Sequence, residues 1–418
     1  MTGTRLRGIM EKRQVTDMKK IFWRIRQFAL SRVLRLTEHH TPRILEGQGC
    51  VDRVAQVLAD AGVQNALLVT TPGTIRRGML RGMQETAAKK GIVFSLFTDV
   101  PNDPDIGSVE AGRALCLKNG CTAIVAVGGG SVLDCAKMIG ARLARPRRTV
   151  AQMRGAMRVG RKLPLLIAVP TTAGTGSEVT AAAVITEIRN GVHDKYPVSD
   201  LHLIPRVAVL DARLTLTLPR ELTAATGMDA LTHAVEAYTN RFASKYVKKL
   251  AKEAVGTIFA WLPRAVENGQ DTEAREKMLH ASMQAGIAFT NNFVGYVHAL
   301  AHAIGGLYGV PHGKANAVLL PAVLSEYGVG VQKKLAELAA VIGVEKTSEK
   351  ESAGAFLAAV AELRDRVGMP HTFAELSPGD YEILIRHAMK EANPMYPVPV
   401  IWGAESFARV LRAVTETR

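Results

Sequence analysis

Ala123-Ile124-Val125-Ala126-Val127 runs straight into Gly128-Gly129-Gly130-Ser131, and residues 132–143 follow with helical spacing. Five consecutive apolar residues, three of them β-branched, are too few for a buried helix and suit a strand covered on both faces. The glycines let backbone N–H groups approach an anion closely. The helix that they open adds partial positive charge at its N-terminus. The run reads either as a pyrophosphate cradle or as a tight turn, because it is not GxGxxG and lacks the Lys and Ser/Thr of a P-loop.

The same texture extends on either side. Residues 51–61, 75–90 and 109–119 read as helices, and 66–70, 92–97, 163–169 and 207–210 as short buried strands. Helices alternating with buried strands predict a parallel sheet covered on both faces. After the strand at 163–169 comes a second polar turn, Pro170-Thr171-Thr172-Ala173-Gly174-Thr175-Gly176-Ser177-Glu178. It reads as a loop around a polar ligand or as a helix cap. Two such turns at the carboxyl ends of strands in one sheet favour a nucleotide, since open α/β sheets bind ligands there. Beyond Pro219 the sequence becomes helical, over 222–238, 243–266 and 272–289. The expected fold class is therefore α/β plus all-α: a dinucleotide-binding domain at 43–218, then a helical domain at 219–418.

Composition narrows the function. Hydrophobic residues at 47% and charged residues at 22% exclude global disorder. No apolar run reaches the roughly 18 residues of a membrane-spanning helix. Cys50, Cys116, Cys121 and Cys135 form no CxxC pair, so neither a zinc ribbon nor a disulfide scaffold is expected, and a reduced, cytoplasmic setting fits. The net charge of +15 is local: residues 1–43 and 142–162 carry +8 each, leaving −1 for the remainder. Nucleic acid is therefore not expected as a partner. Within the first 42 residues Met18, Phe22, Ile25, Ala29, Val33 and Leu36 recur at helical spacing among Lys and Arg. Such a helix docks on protein, touches a membrane surface through residues 18–36, or remains a mobile arm. Residues 142–162 read as a solvated basic loop beside the cofactor domain.

The helical half opens with Gly227-Met228-Asp229-Ala230-Leu231-Thr232-His233-Ala234-Val235-Glu236, which sets Asp229 and His233 one turn apart on one face. His298 and His302 repeat that spacing, and Pro311-His312-Gly313 follows. Each pair alone is as easily a set of satisfied core residues. Together they suit a first-row divalent metal, and affinity order alone does not separate iron from zinc.

In its ordered motifs the chain resembles the iron-containing alcohol dehydrogenase family, from about residue 43 onward. The motifs are Gly-Gly-Gly-Ser-x-x-Asp-x-x-Lys from Gly128, Thr-Thr-x-Gly-Thr-Gly-Ser-Glu from Thr171, Gly-Met-Asp-Ala-Leu-Thr-His from Gly227, and the spaced His298, His302 and His312. The resemblance implies hydride transfer between a primary alcohol or aldehyde and nicotinamide C4, with a Lewis-acidic metal, Fe2+ or alternatively Zn2+. It implies metal ligation by Asp229, His233, His298 and His312. It implies NAD or NADP on Thr71, Gly129, Gly130, Ser131, Asp134, Thr171, Thr172, Thr175 and Lys195, with Phe289 facing substrate. His302 is then a non-ligand imidazole, either a proton relay or a residue that orients a ligand. A homodimer or higher homo-oligomer is expected.

The sequence departs from NAD-preferring relatives at Thr71, where they often carry an acid on the adenosine ribose. Its absence removes repulsion of a 2′-phosphate, so NADP is expected to be tolerated. Dehydroquinate-synthase-like lyases are the main rival. They need basic groups for a phosphorylated substrate, and residues 227–236 and 291–313 contain no Arg or Lys. Glycerol-dehydrogenase-like relatives also use Asp and His around zinc, but usually without this fourth ligand pattern. A purely membrane-surface or nucleic-acid-binding protein would explain the two basic segments and none of the motifs.

Overall fold

The computed structural model describes residues 3–35, 40–189 and 192–416. Strands β1 (Arg43–Glu46), β2 (Asn65–Val69), β3 (Val93–Phe97), β4 (Ala123–Gly128), β6 (Leu165–Pro170) and β9 (Val207–Leu210) form a parallel sheet in the order β1-β9-β6-β4-β2-β3. Strands β5 (Gly155–Ala156), β7 (Ala182–Arg189) and β8 (Val192–Ser199) form a second sheet in the order β5-β8-β7, with β7 and β8 antiparallel. The helices are α1 (Gly3–Arg35), α2 (Val54–Asp60), α3 (Pro72–Arg76), α4 (Arg81–Lys89), α5 (Ile106–Lys118), α6 (Gly130–Ala144), α7 (Arg220–Thr239), α8 (Lys245–Glu267), α9 (Thr272–Asn292), α10 (Tyr296–Tyr308), α11 (His312–Tyr327), α12 (Gln332–Val341), α13 (Glu349–Arg366), α14 (Tyr381–Ala392) and α15 (Ala404–Val414).

The two-period of each strand divides its side chains between two cores. Leu67, Val69, Ile124, Ala126, Leu166 and Ala168 face α5 and α6. Ala66, Leu68, Val125, Val127, Ile167 and Val169 face α2 and α4. Both faces are covered, which is why these strands read as unbroken apolar runs. From α7 onward a third core is built between helices. Val179, Ala208 and Leu210 meet Met283 and Ile287 of α9 where the two halves join.

Several expectations need correction. The helix expected over 75–90 is two helices, α3 and α4, broken where Gly78 takes φ 64°. Strand β1 was not foreseen, being four residues at the sheet's edge with a charge at each end. The β7–β8 hairpin was missed as well, because its polar residues break the apolar run on which strand recognition relied. The basic stretch 142–162 joins the end of α6 to the start of β6. Its two ends lie at the amino edge of the sheet, while its middle runs along the second sheet, where β5 pairs with Val198 and Ser199 and Arg154 pairs with Asp194, next to Lys195. Nor are all its arginines simply solvated. Arg142 donates to the carbonyls of Arg145 (2.8 Å) and Pro146 (3.2 Å), Arg145 to Val159 (2.5 Å), and Arg148 to Arg158 (2.6 Å). These side chains brace a segment whose regular structure is little more than the two-residue β5, and they satisfy carbonyls that no ladder takes.

Helix α1 also turned out differently. Its stripe of Met18, Phe22, Ile25, Ala29 and Val33 is exposed, with Phe22 at 64%, while Leu36 lies outside the described residues. The helix docks through another face, burying Gln27 and Ser31 and packing Trp23 on the helical core.

Candidate metal and nucleotide site

The parallel register of β4 and β6 continues to Gly128 opposite Pro170, so the two polar turns leave the sheet side by side. The amide of Thr171 donates to Gly128 O (3.0 Å). On the other side of β4, strand β2 delivers Thr70 and Thr71, and Thr70 Oγ1 donates to Val127 O (2.7 Å). Thr71, Gly129, Gly130, Ser131, Thr171, Thr172 and Thr175 thus gather along one carboxyl edge, as expected of a nucleotide-binding sheet. Helix α6 begins there with Gly129 as its cap and no side chain on its first amides. Those unclaimed N–H groups and the helix dipole suit a pyrophosphate. Ser131 Oγ donates to Asn102 O, and Lys195 Nζ pairs with Asp103 next to it (2.7 Å), which fixes β8 near this end of the sheet.

Asp134 differs from its expected role. Its Oδ1 accepts from Ser177 Oγ (2.6 Å) and its Oδ2 from Val184 N (2.9 Å). Both oxygens tie α6 to the second polar turn and to β7, so Asp134 shapes the nucleotide edge instead of reaching toward a ligand. Beneath it lies Lys137, fully buried, donating to Thr180 O (3.0 Å), Thr180 Oγ1 (2.9 Å) and Ala182 O (2.7 Å). Burial lowers the Lys137 pKa to about 8 against the pull of Asp134 and Glu178. Burial likewise raises Glu178 to about 7, opposed by its own backbone N–H and by Lys137.

Across the joint, α7 carries Asp229 and His233 on one face, α10 carries His298, and α11 opens with His312. Asp229 Oδ1 lies 3.6 Å from His298 Nε2 and 3.5 Å from His312 Nε2. Ligand atoms about 2.1 Å from a tetrahedral first-row ion are about 3.4 Å apart, so these separations fit one. Asp229, His298 and His312 form the compact trio. His233 stands beside it: its Nδ1 is 4.0 Å from Asp229 Oδ1, and its ring stacks on His298 (4.4 Å) and Phe289 (4.2 Å). That buried Nδ1 has no hydrogen-bond partner among the described residues. An orphaned imidazole nitrogen aimed at a carboxylate within a histidine cluster is what a site built for a cation presents.

Electrostatics points the same way. Burial alone would raise Asp229, but His233, His312 and His298 hold it well below the carboxylate range. Burial depresses His233 to about 3, leaving it a neutral donor. Burial alone would lower His298, but the adjacent carboxylates of Asp229 and Glu236 outweigh it and raise the ring to about 9. A cation at the centre would replace those shared protons.

Three groups in this centre escaped the sequence reading. Glu236 accepts from His298 Nδ1 (2.6 Å), Gly295 N (2.7 Å) and Val297 N (2.7 Å), which turns His298 Nε2 toward Asp229. Its signal was present, since Glu236 follows Asp229 by seven residues on the same face of α7. Asn316, one turn after His312, donates to Asp229 Oδ1 (2.7 Å). Glu391, on α14, meets His302 Nδ1 (2.8 Å) and accepts from Tyr396 Oη (2.6 Å). Nothing local marks Glu391, which reaches the site only through tertiary packing. The His302 and His312 side chains are 30% and 33% exposed, against 3% for Asp229 and 2% for His298. The open side of the cluster is therefore the side of His302 and His312.

Residues 41–212 match the pattern of iron-containing alcohol dehydrogenase, and residues 223–412 match that of the Fe-containing alcohol dehydrogenase family, C-terminal. The chain belongs to the iron-containing alcohol dehydrogenase family. It is an oxidoreductase acting on alcohols with a nicotinamide cofactor and a bound metal. Alcohol dehydrogenase 4 of Schizosaccharomyces pombe is 37% identical over 379 residues, covering 89% of this chain and 88% of that protein. The 1,3-propanediol dehydrogenase of Klebsiella pneumoniae is 37% identical over 366 residues, covering 86% and 94%. The crystal structure of a 1,3-propanediol oxidoreductase superposes with a TM-score of 0.85 at 35% identity, over 89% of this chain and 98% of that one. The resemblance carried by the four motifs is thus borne out, as is the α/β plus all-α fold of this iron-containing alcohol dehydrogenase.

Proposed function

We propose that this alcohol dehydrogenase holds one divalent metal on Asp229, His233, His298 and His312, iron first and zinc as the alternative. The cofactor lies along Thr71, Gly129, Gly130, Ser131, Thr171, Thr172, Thr175 and Lys195, on a unit of residues 43–218 that faces a helical unit of 219–418. The single observation that carries this reading is the buried carboxylate ringed by imidazoles, with the His233 ring also meeting the backbone of Gly174 in the second polar turn. That contact brings the nucleotide loop to the edge of the metal cluster.

When bound, the metal supplies a Lewis acid for the alcohol oxygen and the nicotinamide accepts or donates the hydride. The chain's own residues do the positioning. Glu236 holds His298, and Asn316 holds Asp229. Phe289 backs His233 with an apolar wall and faces substrate. His302 has Nδ1 engaged by Glu391, so Nε2 is the nitrogen left to hold or move a proton on the open side.

Thr71 caps α3, accepting from Thr74 N (3.2 Å), and brings no negative charge to the ribose end. NADP is accordingly accepted as well as NAD. Michaelis constants for the two cofactors test this, and a large preference for NAD would overturn it. The decisive test of the main reading is metal analysis of anaerobically purified protein, with a panel of primary alcohols scored by reduced nicotinamide. No bound metal and no hydride transfer with any alcohol or aldehyde would refute it.

The enzyme works as a cytoplasmic homodimer or higher homo-oligomer, which light scattering on the purified protein checks. The exposed face of α1 (Met18, Ile21, Phe22, Ile25 and Val33) is bordered by Lys19, Arg26 and Arg32, with no acid between residues 18 and 35. It fits weak contact with an anionic membrane surface. Two copies meeting through this face would set like charges together. Flotation with phosphatidylglycerol vesicles, absent with phosphatidylcholine alone and lost in Phe22→Glu, is the expected result. Self-association lost in Phe22→Glu, without flotation, would assign the face to a second copy.

A further inference from the structure

The inner face of α1 presents a different observation. Gln27 is fully buried although polar, and a buried amide requires partners. Its Nε2 donates to Asn393 O (2.8 Å), and its Oε1 accepts from Arg24 (2.9 Å). Arg24 also donates to Val398 O (2.6 Å) and Pro399 O (3.1 Å). The recipient stretch, Asn393-Pro394-Met395-Tyr396-Pro397-Val398-Pro399, contains three prolines. It cannot build a regular hydrogen-bonded element of its own. Tyr396 O takes the amide of Val398 (2.8 Å), but the carbonyls of Asn393, Pro397, Val398 and Pro399 are satisfied from outside, by α1 and by the amide of Arg241 on Pro397 O (2.6 Å).

This stretch leads to the active site. Tyr396 Oη donates to Glu391 Oε1, the same oxygen that meets His302 Nδ1. Asn393 Oδ1 accepts from the hydroxyl of Tyr296 (2.5 Å), in the first turn of the helix that carries His298 and His302.

We propose that α1 is a strut for the active-site imidazole. Gln27 and Arg24 are positioning residues. They set the path of residues 393–399, which holds Tyr396 on Glu391 and thereby fixes the ring of His302. The inference rests on the reading of His302 as the group that handles the proton. It assigns a purpose to a segment that the dehydrogenase motifs do not need. Arg24 and Gln27 touch none of the proposed metal ligands; the branch nearest to one ends on the Tyr296 hydroxyl, two residues before His298, whose own Nδ1 is held separately by Glu236.

The test uses the full-length, metal-loaded enzyme and compares Arg24→Ala/Gln27→Ala, Glu391→Gln, and the combination. The α1 pair is expected to lower kcat by about tenfold, in the range that small misplacement of a reacting group produces. Metal content and the KM for alcohol should change by less than about twofold. In the Glu391→Gln background the α1 pair should lower kcat no further, because both act through one contact. An unchanged kcat, or losses that multiply in the combined variant, would overturn the strut and leave the dehydrogenase reading intact. If Glu391→Gln and His302→Ala both keep full kcat, the fault lies instead with the role given to His302. Arg24→Gln alone, which loosens the Val398 and Pro399 carbonyls and frees Gln27 Oε1 but leaves Gln27 Nε2 on Asn393 O, keeps the test readable if the double variant does not fold.

Discussion

Glu236 is the residue whose removal separates structure from metal binding most cleanly. Its carboxylate takes two backbone amides and one imidazole, so Glu236→Gln keeps the shape and loses the charge that turns His298. Metal affinity should fall by about 10–100-fold, as when other outer carboxylates of metal-bound histidines are removed, and competition against a chelator measures it. His298→Ala should abolish metal retention, whereas His302→Ala should retain metal and lose turnover, which metal analysis beside kcat distinguishes. Glu178 gives a prediction in pH. Its folded pKa of about 7 stands above the ordinary 4.5, so between pH 4.5 and 7 the native chain holds a proton that the unfolded chain releases. Stability from this group is greatest below 4.5 and declines as pH rises to 7. Glu178→Gln lacks that decline. Its stability relative to wild type should climb between pH 4.5 and 7 and level off above, as read from urea melts; a difference flat in pH would contradict the burial of this carboxyl.

At the level of elements, two close approaches hold the halves of the site in register. Gly313, beside His312, lies where a Cβ would meet Ala225 O at 2.3 Å, so α11 rests directly on α7. Gly176 takes φ 61°, and a Cβ there would meet Gly286 Cα at 2.7 Å, so the second polar turn rests on α9. Gly313→Ala should push His312 away from Asp229 and weaken metal binding by about tenfold or more with cofactor affinity unchanged. Gly176→Ala should do the reverse, raising the KM for nicotinamide nucleotide while metal content holds; equal damage to both properties by either variant would argue against this division. The same division explains what could be read in advance. The β4–GGGS–α6 unit and the i, i+4 pairs of α7 and α10 are local, so spacing alone displayed them. The hairpin β7–β8 is local too, but its polar residues interrupt the apolar run; the outward turn of α1 and the pairing of Glu391 with His302 depend on partners dozens to hundreds of residues away. No local period carries such information. His233 lies between these cases: its spacing from Asp229 was legible, while its ring stack on Phe289 and His298 is tertiary.

Over the whole molecule, the two basic segments supply none of the proposed metal ligands, one lying on α1 and the other linking α6 to β6, while the site occupies the joint between a sheet and a helical bundle. The proposed ligand set draws on α7, α10 and α11 together, and among the described residues the buried Asp229 carboxylate is faced by imidazoles and Asn316. Without a cation, like-charged or neutral rings must share that space. With one, three helices are cross-linked. Metal should therefore raise thermal stability by the linkage relation, about 2.7 kcal/mol at a free concentration 100 times Kd. Chelation should lower Tm, and Fe2+ or Zn2+ should restore it. His298→Ala should show neither response. The proposed nucleotide site lies on the other side of the joint, on loops carried by the sheet, so an analogue such as ADP-ribose should raise Tm in wild type and in His298→Ala alike. Scanning calorimetry with and without each ligand separates the two contributions. A Tm indifferent to metal would mean that the cluster is held by its own hydrogen bonds, and the assignment of Asp229 and its histidines would have to be abandoned.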